Sequence, residues 1–140
     1  MSDIDNAAFF TQVRELLSEG REVVFTPKGN SMLPFIRGGR DSVVLSGAFA
    51  PLEVGDIVLA DVDGRFVMHR VFALEGDSVT LMGDGNITGT ESCTVADVIG
   101  KVTEIRKDAG KTVKPGKGRL WRVLMPVRRY ILAIYKRVFK

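Results

Sequence analysis

The first apolar pattern along the chain has the spacing of an amphipathic helix. Between Asp5 and Glu19 the apolar side chains recur every three or four residues, acidic residues lie near the start, and Gly20 follows the end. The apolar positions are Phe9, Phe10, Val13, Leu16 and Leu17. In a small domain such a helix usually covers an open face of a sheet, and docking to a partner is the alternative.

Beyond Gly20 the pattern changes to short apolar runs separated by turn residues, which is typical of antiparallel strands. The predicted strands are residues 21–26, 41–46, 57–60, 65–72, 78–82 and 97–105. Asp63-Gly64 between two of these runs is a strong hairpin signal. Within residues 65–72 the side chains alternate between two faces. One face carries Phe66, Met68, Arg70 and Phe72, and the other carries Val67, His69 and Val71. The pattern predicts a mainly β, antiparallel domain.

The last third of the chain has a different composition. Residues 106–118 are polar, basic and rich in glycine, which predicts a linker. Residues 119–140 mix apolar and basic side chains as a basic amphipathic helix does, with a kink predicted at Pro126. The predicted organisation is therefore a β domain with its amino-terminal helix over residues 1–105, a linker, and a helical segment over residues 119–140.

Composition fits one globular domain in a reducing compartment. The chain has 140 residues, of which 45% are hydrophobic and 26% charged. Cys93 is the single cysteine, so no intramolecular disulfide can form. The first twenty residues lack the features of a secretory signal. These features predict a cytoplasmic location, and the sequence carries no signal for an oligomeric state.

Charge divides the chain into an acidic and a basic part. Residues 1–100 hold 7 Lys and Arg against 15 Asp and Glu, a net charge of −8, whereas residues 101–140 hold 13 against 2, a net charge of +11. A basic amphipathic helix suits an anionic membrane surface, and arginines interrupt every apolar run before it could span a bilayer. Packing of the helix on protein is the second alternative. Nucleic acid is disfavoured, because no helix-turn-helix pattern accompanies the segment.

Candidate chemistry begins at the stretch Lys28-Gly29-Asn30-Ser31-Met32-Leu33-Pro34. Gly29 and Pro34 predict a tight, non-helical turn with Ser31 pointing outward, and His69 is the only histidine that could act as its base. Asp84 could hold the histidine ring. The alternatives are ordinary turn residues at both Ser31 and Asp84, and a partly buried structural histidine between two valines.

Four short motifs in consistent order give the chain a resemblance to type I signal peptidases and self-cleaving phage and SOS repressors. They span about residues 21–105 and read Gly29-Asn30-Ser31-Met32-Leu33-Pro34, Gly55-Asp56-Ile57-Val58, His69-Arg70-Val71 and Gly83-Asp84-Gly85-Asn86. Histidine as the base resembles the archaeal and endoplasmic-reticulum branch, in which it replaces a lysine. Glu91 lies roughly where that branch has a second acidic residue.

The resemblance implies a partly open, barrel-like β domain with a helix at each end, and a serine endopeptidase that uses a Ser31–His69 dyad supported by Asp84. Asn30 and Met32 would contact the substrate or the oxyanion, and because Gly29 replaces a hydroxyl residue, the Ser31 N–H would be an oxyanion donor. The substrate would be a peptide or protein that adds along a strand edge. No metal or organic cofactor is implied. The alternative is a non-catalytic peptide-binding module on the same fold, peripherally associated with the cytoplasmic face of a membrane.

Overall fold

A computed structural model describes residues 3–29, 31–85, 89–119 and 127–138. Two α-helices and eight strands are assigned in these residues, with a short 3₁₀ helix at Val95–Asp97. The helices are α1 (Asp3–Ser18) and α2 (Arg128–Val138). The strands are β1 (Val23–Phe25), β2 (Ser42–Ser46), β3 (Ile57–Val62), β4 (Arg65–Glu75), β5 (Ser78–Met82), β6 (Glu91–Thr94), β7 (Val98–Arg106) and β8 (Thr112–Val113).

All strands belong to one antiparallel sheet that forms a half-barrel. Its order is β1-β2-β7-β3-β4-β5-β6, and β8 pairs with the end of β7. The pairing of β4 shifts by one residue between Val71 and Ala73, where the ladder with β5 contains a bulge. The predicted mainly β, partly open antiparallel fold with a helix near each end is confirmed.

The sheet buries apolar side chains on both faces. Alternation along β3 shows this directly, because Ile57 and Leu59 belong to one apolar cluster and Val58 and Ala60 to another. The first cluster also contains the buried face of α1, which is Phe10, Val13 and Leu17. The prediction that the amino-terminal helix covers the sheet is therefore confirmed.

Two strands were not predicted from the pattern of apolar residues. β6 has the polar sequence Glu91-Ser92-Cys93-Thr94, and β8 is two residues long. Both form because a neighbouring strand supplies the hydrogen-bond ladder: β5 pairs with β6, and Ile105 of β7 pairs with Val113 of β8. The hydrogen bonds that a neighbouring strand supplies do not depend on the pattern of apolar residues in the strand itself, so that pattern does not predict these two strands.

The segment predicted as a linker makes specific contacts with the sheet. Lys117 is ion-paired with Asp56 and with Glu53, and the Gly116 carbonyl accepts a hydrogen bond from Arg70. We call residues 114–118 the strap. It closes over the start of β3.

Helix α2 packs on the domain by one face. Leu132 is buried against Leu33, with Phe35, Ile131 and Tyr135 around the pair. The kink predicted at Pro126 lies outside the described residues, as do Trp121, Leu124 and Met125. Within the described part of the chain, no helix has the length and apolar character needed to cross a bilayer.

Candidate active site

Ser31 lies on the loop of residues 27–39 between β1 and β2, which we call the serine loop. Its base is narrow, since the Gly39 N–H donates to the Pro27 carbonyl at 2.7 Å. Gly29 has a φ of +86°, and a Cβ atom on Gly38 would lie 1.8 Å from the Gly29 carbonyl oxygen. A side chain at position 38 is therefore sterically excluded, and one at position 29 would strain the backbone. Ser31 itself is exposed, while its neighbour Asn30 lies outside the described residues.

The loop of residues 83–85 is hydrogen-bonded to the serine loop. The Gly85 N–H donates to the Ser31 carbonyl at 2.7 Å, and the Asp84 N–H donates to the Met32 sulfur at 3.5 Å. The Met32 side chain is buried, and its carbonyl accepts the N–H groups of Phe35 and Ile36. These contacts fix the backbone of Ser31 while leaving its side chain exposed.

His69 is a buried residue of β4, where its Cα pairs with that of Val58. Its Nδ1 atom lies 2.6 Å from Oε1 of Glu91, the first residue of β6. This is the distance of an ion pair, although the buried Nδ1 makes no hydrogen bond of good angular geometry within the described residues. Glu91 is also ion-paired with Arg65. The acidic group beside the ring is therefore shared with a fixed positive charge.

The environment of His69 favours its neutral form. Burial lowers the pKa of His69, and the positive charge of Arg65 lowers it further. Glu91 and, more weakly, Asp84 act in the opposite direction, but the net pKa lies below the ordinary value of 6.5. A neutral imidazole at pH 7 can accept a proton.

The predicted role of Asp84 as a support of His69 stays a prediction, and the hydrogen bonds of Asp84 connect it to Arg70. Both carboxylate oxygens of Asp84 accept hydrogen bonds from Arg70, each at 2.8 Å, and both side chains are buried. Glu91 lies beside Nδ1 of the histidine ring. The Asp84 charge still contributes to the electrostatics of His69, but its hydrogen bonds hold the loop that supports Ser31.

Arg70 joins four segments around the site. Besides Asp84, its guanidinium donates to the carbonyls of Gly55 at 2.8 Å and Gly116 at 2.9 Å, and it lies 5.1 Å from the centre of the Phe35 ring. A bidentate pair supplemented by further hydrogen bonds satisfies a buried guanidinium well. The adjacent residues thus have different roles: His69 lines the cavity, and Arg70 connects the segments around it.

Two further buried carboxylates hold segments that flank the site. Burial by itself raises the pKa of Asp56, but the hydrogen bond from Lys117, the Glu53 N–H and the charge of Lys101 outweigh it and the pKa is lowered. Asp41 is likewise buried, yet Lys107 and the N–H groups of Arg37 and Asp108 lower its pKa. Lys107 also donates to the Phe35 carbonyl at 2.9 Å, so this cluster anchors the serine loop.

Ser31 and His69 line the same partly open cavity, which has a volume of about 270 Å³. Its walls are mainly apolar and come from Phe10, Phe25, Met32, Ile36, Leu59, Phe66 and Met68. Lys28 and Arg65 also line it. A serine hydroxyl and a neutral imidazole at one apolar cavity are the components of nucleophilic acyl transfer.

Cys93 is a poorer nucleophile candidate than Ser31. Burial, together with the charges of Asp97 and Glu91, raises the pKa of its thiol to about 11, which keeps it protonated at neutral pH. Within the described residues no three His, Cys, Asp or Glu side chains come together as metal ligands would.

A sequence profile described as Peptidase S24-like matches residues 4–103. The chain belongs to the Peptidase S24-like family. No curated protein sequence matches it. The part of the chain matched by the Peptidase S24-like profile contains Ser31, His69, Asp84 and Glu91, and it ends before the strap and α2.

Of the residues that hold the segments around this candidate site, sequence reasoning missed Arg70 and Lys117. A usable signal existed in each case. Arg70 directly follows His69 in an apolar strand, where an unpaired charge would be costly. Lys117 lies in a basic segment that follows a domain with a net charge of −8. Neither signal identifies the partner.

Proposed function

We propose that this Peptidase S24-like protein is a serine endopeptidase that cleaves an extended peptide with Ser31 as nucleophile and His69 as base. The observation that carries the proposal is that Ser31 and His69 line one cavity, with Glu91 2.6 Å from Nδ1 of the histidine ring. Family membership supports the same reaction class.

In this mechanism the Ser31 hydroxyl attacks the scissile carbonyl carbon while Nε2 of His69 removes its proton. Glu91 beside Nδ1 stabilises the imidazolium that forms. The carbon–nitrogen bond then breaks, His69 gives the proton to the leaving amine, and an acyl ester remains on Ser31. Water, deprotonated by His69, hydrolyses the ester and regenerates the hydroxyl.

The oxyanion of the tetrahedral intermediate needs hydrogen-bond donors, and the Ser31 N–H supports this role. It makes no hydrogen bond to another described residue, whereas the Ser31 carbonyl is held by Gly85. The Asn30 amide is the second donor in this proposal, as expected from the sequence.

The outer edge of strand β1 is where a peptide substrate could pair with the sheet and approach Ser31. Strand β1 is the terminal strand of the sheet order, so its outer edge has no strand partner among the described residues, and it leads directly into the serine loop. An extended peptide that pairs with this edge would run toward the cavity.

The alternative function is a peptide-binding module that has the same cavity and edge but performs no hydrolysis. A fluorophosphonate probe distinguishes the two, because it forms a stable adduct only with an activated serine. We expect one adduct on the full chain, located at Ser31 by peptide mass spectrometry and absent in Ser31→Ala. Labelling of His69→Ala should fall by about 10²–10⁴-fold.

Ser78→Ala is the matched control, since Ser78 is an exposed serine at the start of β5 and should not affect labelling. Ser31→Ala should keep the unfolding midpoint of the parent, because the side chain is exposed. Labelling that persists in Ser31→Ala, or no labelling of the folded parent, would contradict the enzymatic proposal.

We also propose that α2 places the protein on the cytoplasmic face of an anionic membrane. Leu132 is 3% exposed, whereas Tyr130 and Ile134 on the other side of the helix are 64% and 66% exposed. Arg137, one turn further on, is exposed on the same side. Exposed apolar side chains next to arginine match the chemistry of an anionic lipid headgroup layer.

A further inference from the structure

We propose that Arg65 is a positioning residue for the proposed reaction: it binds one carboxylate oxygen of Glu91 and thereby restrains the other oxygen beside Nδ1 of His69. The inference rests on the proposed function, because it assigns a role to a neighbour of the base in that reaction. The restraint itself can be measured on the histidine ring without any catalysis.

The contact between Glu91 and His69 has the distance of an ion pair but not the angle of a good hydrogen bond. Oε1 of Glu91 lies 2.6 Å from Nδ1, which is buried and makes no well-aligned hydrogen bond within the described residues. Oε2 of the same carboxylate accepts a hydrogen bond from the Arg65 guanidinium. Because charge-assisted hydrogen bonds from arginine are strong and directional, Arg65 opposes the rotation that would align Oε1 with Nδ1.

Backbone pairing does not fix the position of the Glu91 carboxylate relative to the ring. Leu81 of β5 pairs with Val71 of β4 on one side and with Glu91 of β6 on the other, so β5 separates the two strands. Glu91 and His69 therefore meet through their side chains alone. The ion pair of Glu91 with Arg65, the first residue of β4, is a second side-chain link between these strands.

Charged groups face His69 from several elements. Glu91 comes from β6, Asp84 from the loop after β5 and Arg65 from β4 itself, while Lys28 of the serine loop lines the same cavity. Asp84 is paired with another buried side chain, and Lys28 is exposed to solvent. The Glu91 carboxylate, with Arg65 bound to it, is therefore the charged group whose orientation can change the protonation of the ring.

The restraint has a chemical use in the proposed reaction. A carboxylate aligned with Nδ1 would favour the imidazolium and raise the pKa of His69, so that less of the neutral base would be present. Held by Arg65, Glu91 still lies close enough to stabilise the cation that forms when the base takes a proton. The positive charge of Arg65 also lowers the pKa of His69 directly.

The test uses full-length variants, proton titration of His69 by nuclear magnetic resonance, and the pH dependence of fluorophosphonate labelling at Ser31. We expect Arg65→Gln to raise the pKa of His69, and the pH of half-maximal labelling, by at least about 0.5. Arg65→Lys keeps the positive charge and should restore most of the parent titration. Arg14→Gln is the matched control, because Arg14 is an arginine of similar exposure that is paired with Asp61, and it should leave both quantities unchanged.

A double-mutant cycle shows whether Arg65 acts through Glu91. In Glu91→Gln protein the carboxylate is absent, so Arg65→Gln then removes only the direct repulsion between guanidinium and imidazolium. We expect the resulting rise in the pKa of His69 to be at most about half of the rise measured with Glu91 present. The excess in the parent background measures the reorientation of the carboxylate.

An unchanged or lower pKa of His69 in Arg65→Gln would overturn the inference. Equal rises in the two backgrounds would also overturn it, since direct repulsion would then account for the whole effect. Failure of the proposed function is distinguishable: an unlabelled Ser31 in the folded parent would remove the catalysis, while the titration and the cycle would still decide whether Arg65 restrains Glu91. Labelling with the same pH dependence in the parent and in Arg65→Gln would leave the reaction intact and remove the role of Arg65.

Discussion

His69 combines burial with two neighbours of opposite charge, and its protonation decides whether it can serve as a base. Burial and Arg65 lower its pKa, while Glu91 and Asp84 raise it less. A buried imidazole held next to a carboxylate in this way is neutral at pH 7, and the carboxylate would stabilise the cation that the proposed transfer of the Ser31 proton forms.

We therefore expect the pKa of His69 to be below 6.5, and Glu91→Gln to lower it further because the carboxylate that stabilises the cation is removed. The measurement is an imidazole proton titration by nuclear magnetic resonance, which is unambiguous because the chain has a single histidine. Labelling of Ser31 should rise with pH through the same pKa. A pKa at or above 6.5, or a rise in Glu91→Gln, would contradict the electrostatic account.

The buried ion pair between Arg70 and Asp84 can be tested through the free energy of unfolding. Removing one partner leaves a buried charge without compensation, so Asp84→Leu or Arg70→Met alone should each lower the free energy of unfolding by about 3–5 kcal/mol. The double variant should lose clearly less than the sum of the two single losses, because no uncompensated charge remains. Urea unfolding at pH 7 measures all three.

The exposed ion pair between Arg14 and Asp61 provides the matched control for this cycle. Its side chains are 50% and 27% exposed, and its coupling should not exceed about 1 kcal/mol. Additive losses at Arg70 and Asp84 would show that the buried pair is not the link between the strap, the loop of residues 83–85 and the serine loop.

At the scale of elements, α2 has one face that packs on the domain and one that is exposed. Leu132 contacts Leu33, two residues from Ser31, so docking of the helix and order of the serine loop are linked. The face with Tyr130 and Ile134 is exposed among the described residues, and it is the face that we propose contacts lipid. A single helix of this kind would bring the cavity close to the membrane surface on which it rests.

Leu132→Ala should therefore undock α2 and increase amide hydrogen exchange in the serine loop, because a buried leucine contact is lost. Ile134→Ser should leave exchange unchanged, since exposed substitutions usually shift stability by within about 0.5 kcal/mol. Binding to vesicles should depend on the exposed face of α2. Ile134→Ser and Tyr130→Ser should therefore weaken co-sedimentation with anionic lipid.

Salt and lipid charge provide the controls for the membrane proposal. Binding of the full chain should fall as salt rises and should be weak with neutral vesicles, since part of the attraction is electrostatic. Equal binding to neutral and anionic vesicles, or unaltered binding of the Tyr130→Ser and Ile134→Ser variants, would remove α2 as the docking surface.

For the whole molecule, the buried titratable groups predict a two-step loss of stability in acid. The folded-state pKa of His69 is below 6.5, so protonation favours the unfolded chain, and stability is lost as pH falls from 6.5 through the folded pKa. Asp41 and Asp56 have folded-state pKa values below 3.8, so their contribution is present above 3.8 and is lost as pH falls below it.

Urea unfolding at several pH values tests this order. His69→Gln should remove the upper step, and Asp56→Asn should reduce the lower one while weakening the hold of Lys117 on the strap. A stability that stays constant between pH 7 and 4 in the parent would contradict the assignment of a buried, neutral histidine.

The sequence alone determined the helix α1, most of the strands, the turn that carries Ser31, and the family resemblance. Each of these depends on a local signal: apolar periods of 3.6 or 2, glycine and proline at turns, and short motifs in order. The alternation of Phe66, Met68 and Arg70 against Val67 and His69 also followed from the strand period.

The tertiary structure decided which charged groups meet. The sequence offers two acidic residues, Glu91 and Asp84, as neighbours of His69. Pairing of β6 with β5 brings Glu91 to the histidine ring. Asp84 is hydrogen-bonded to Arg70. The segment of residues 106–118 is polar enough to be a linker, yet Lys117 of the strap meets Asp56. Ion pairs form between residues many positions apart, because opposite charges attract regardless of sequence spacing, so only the folded chain defines them.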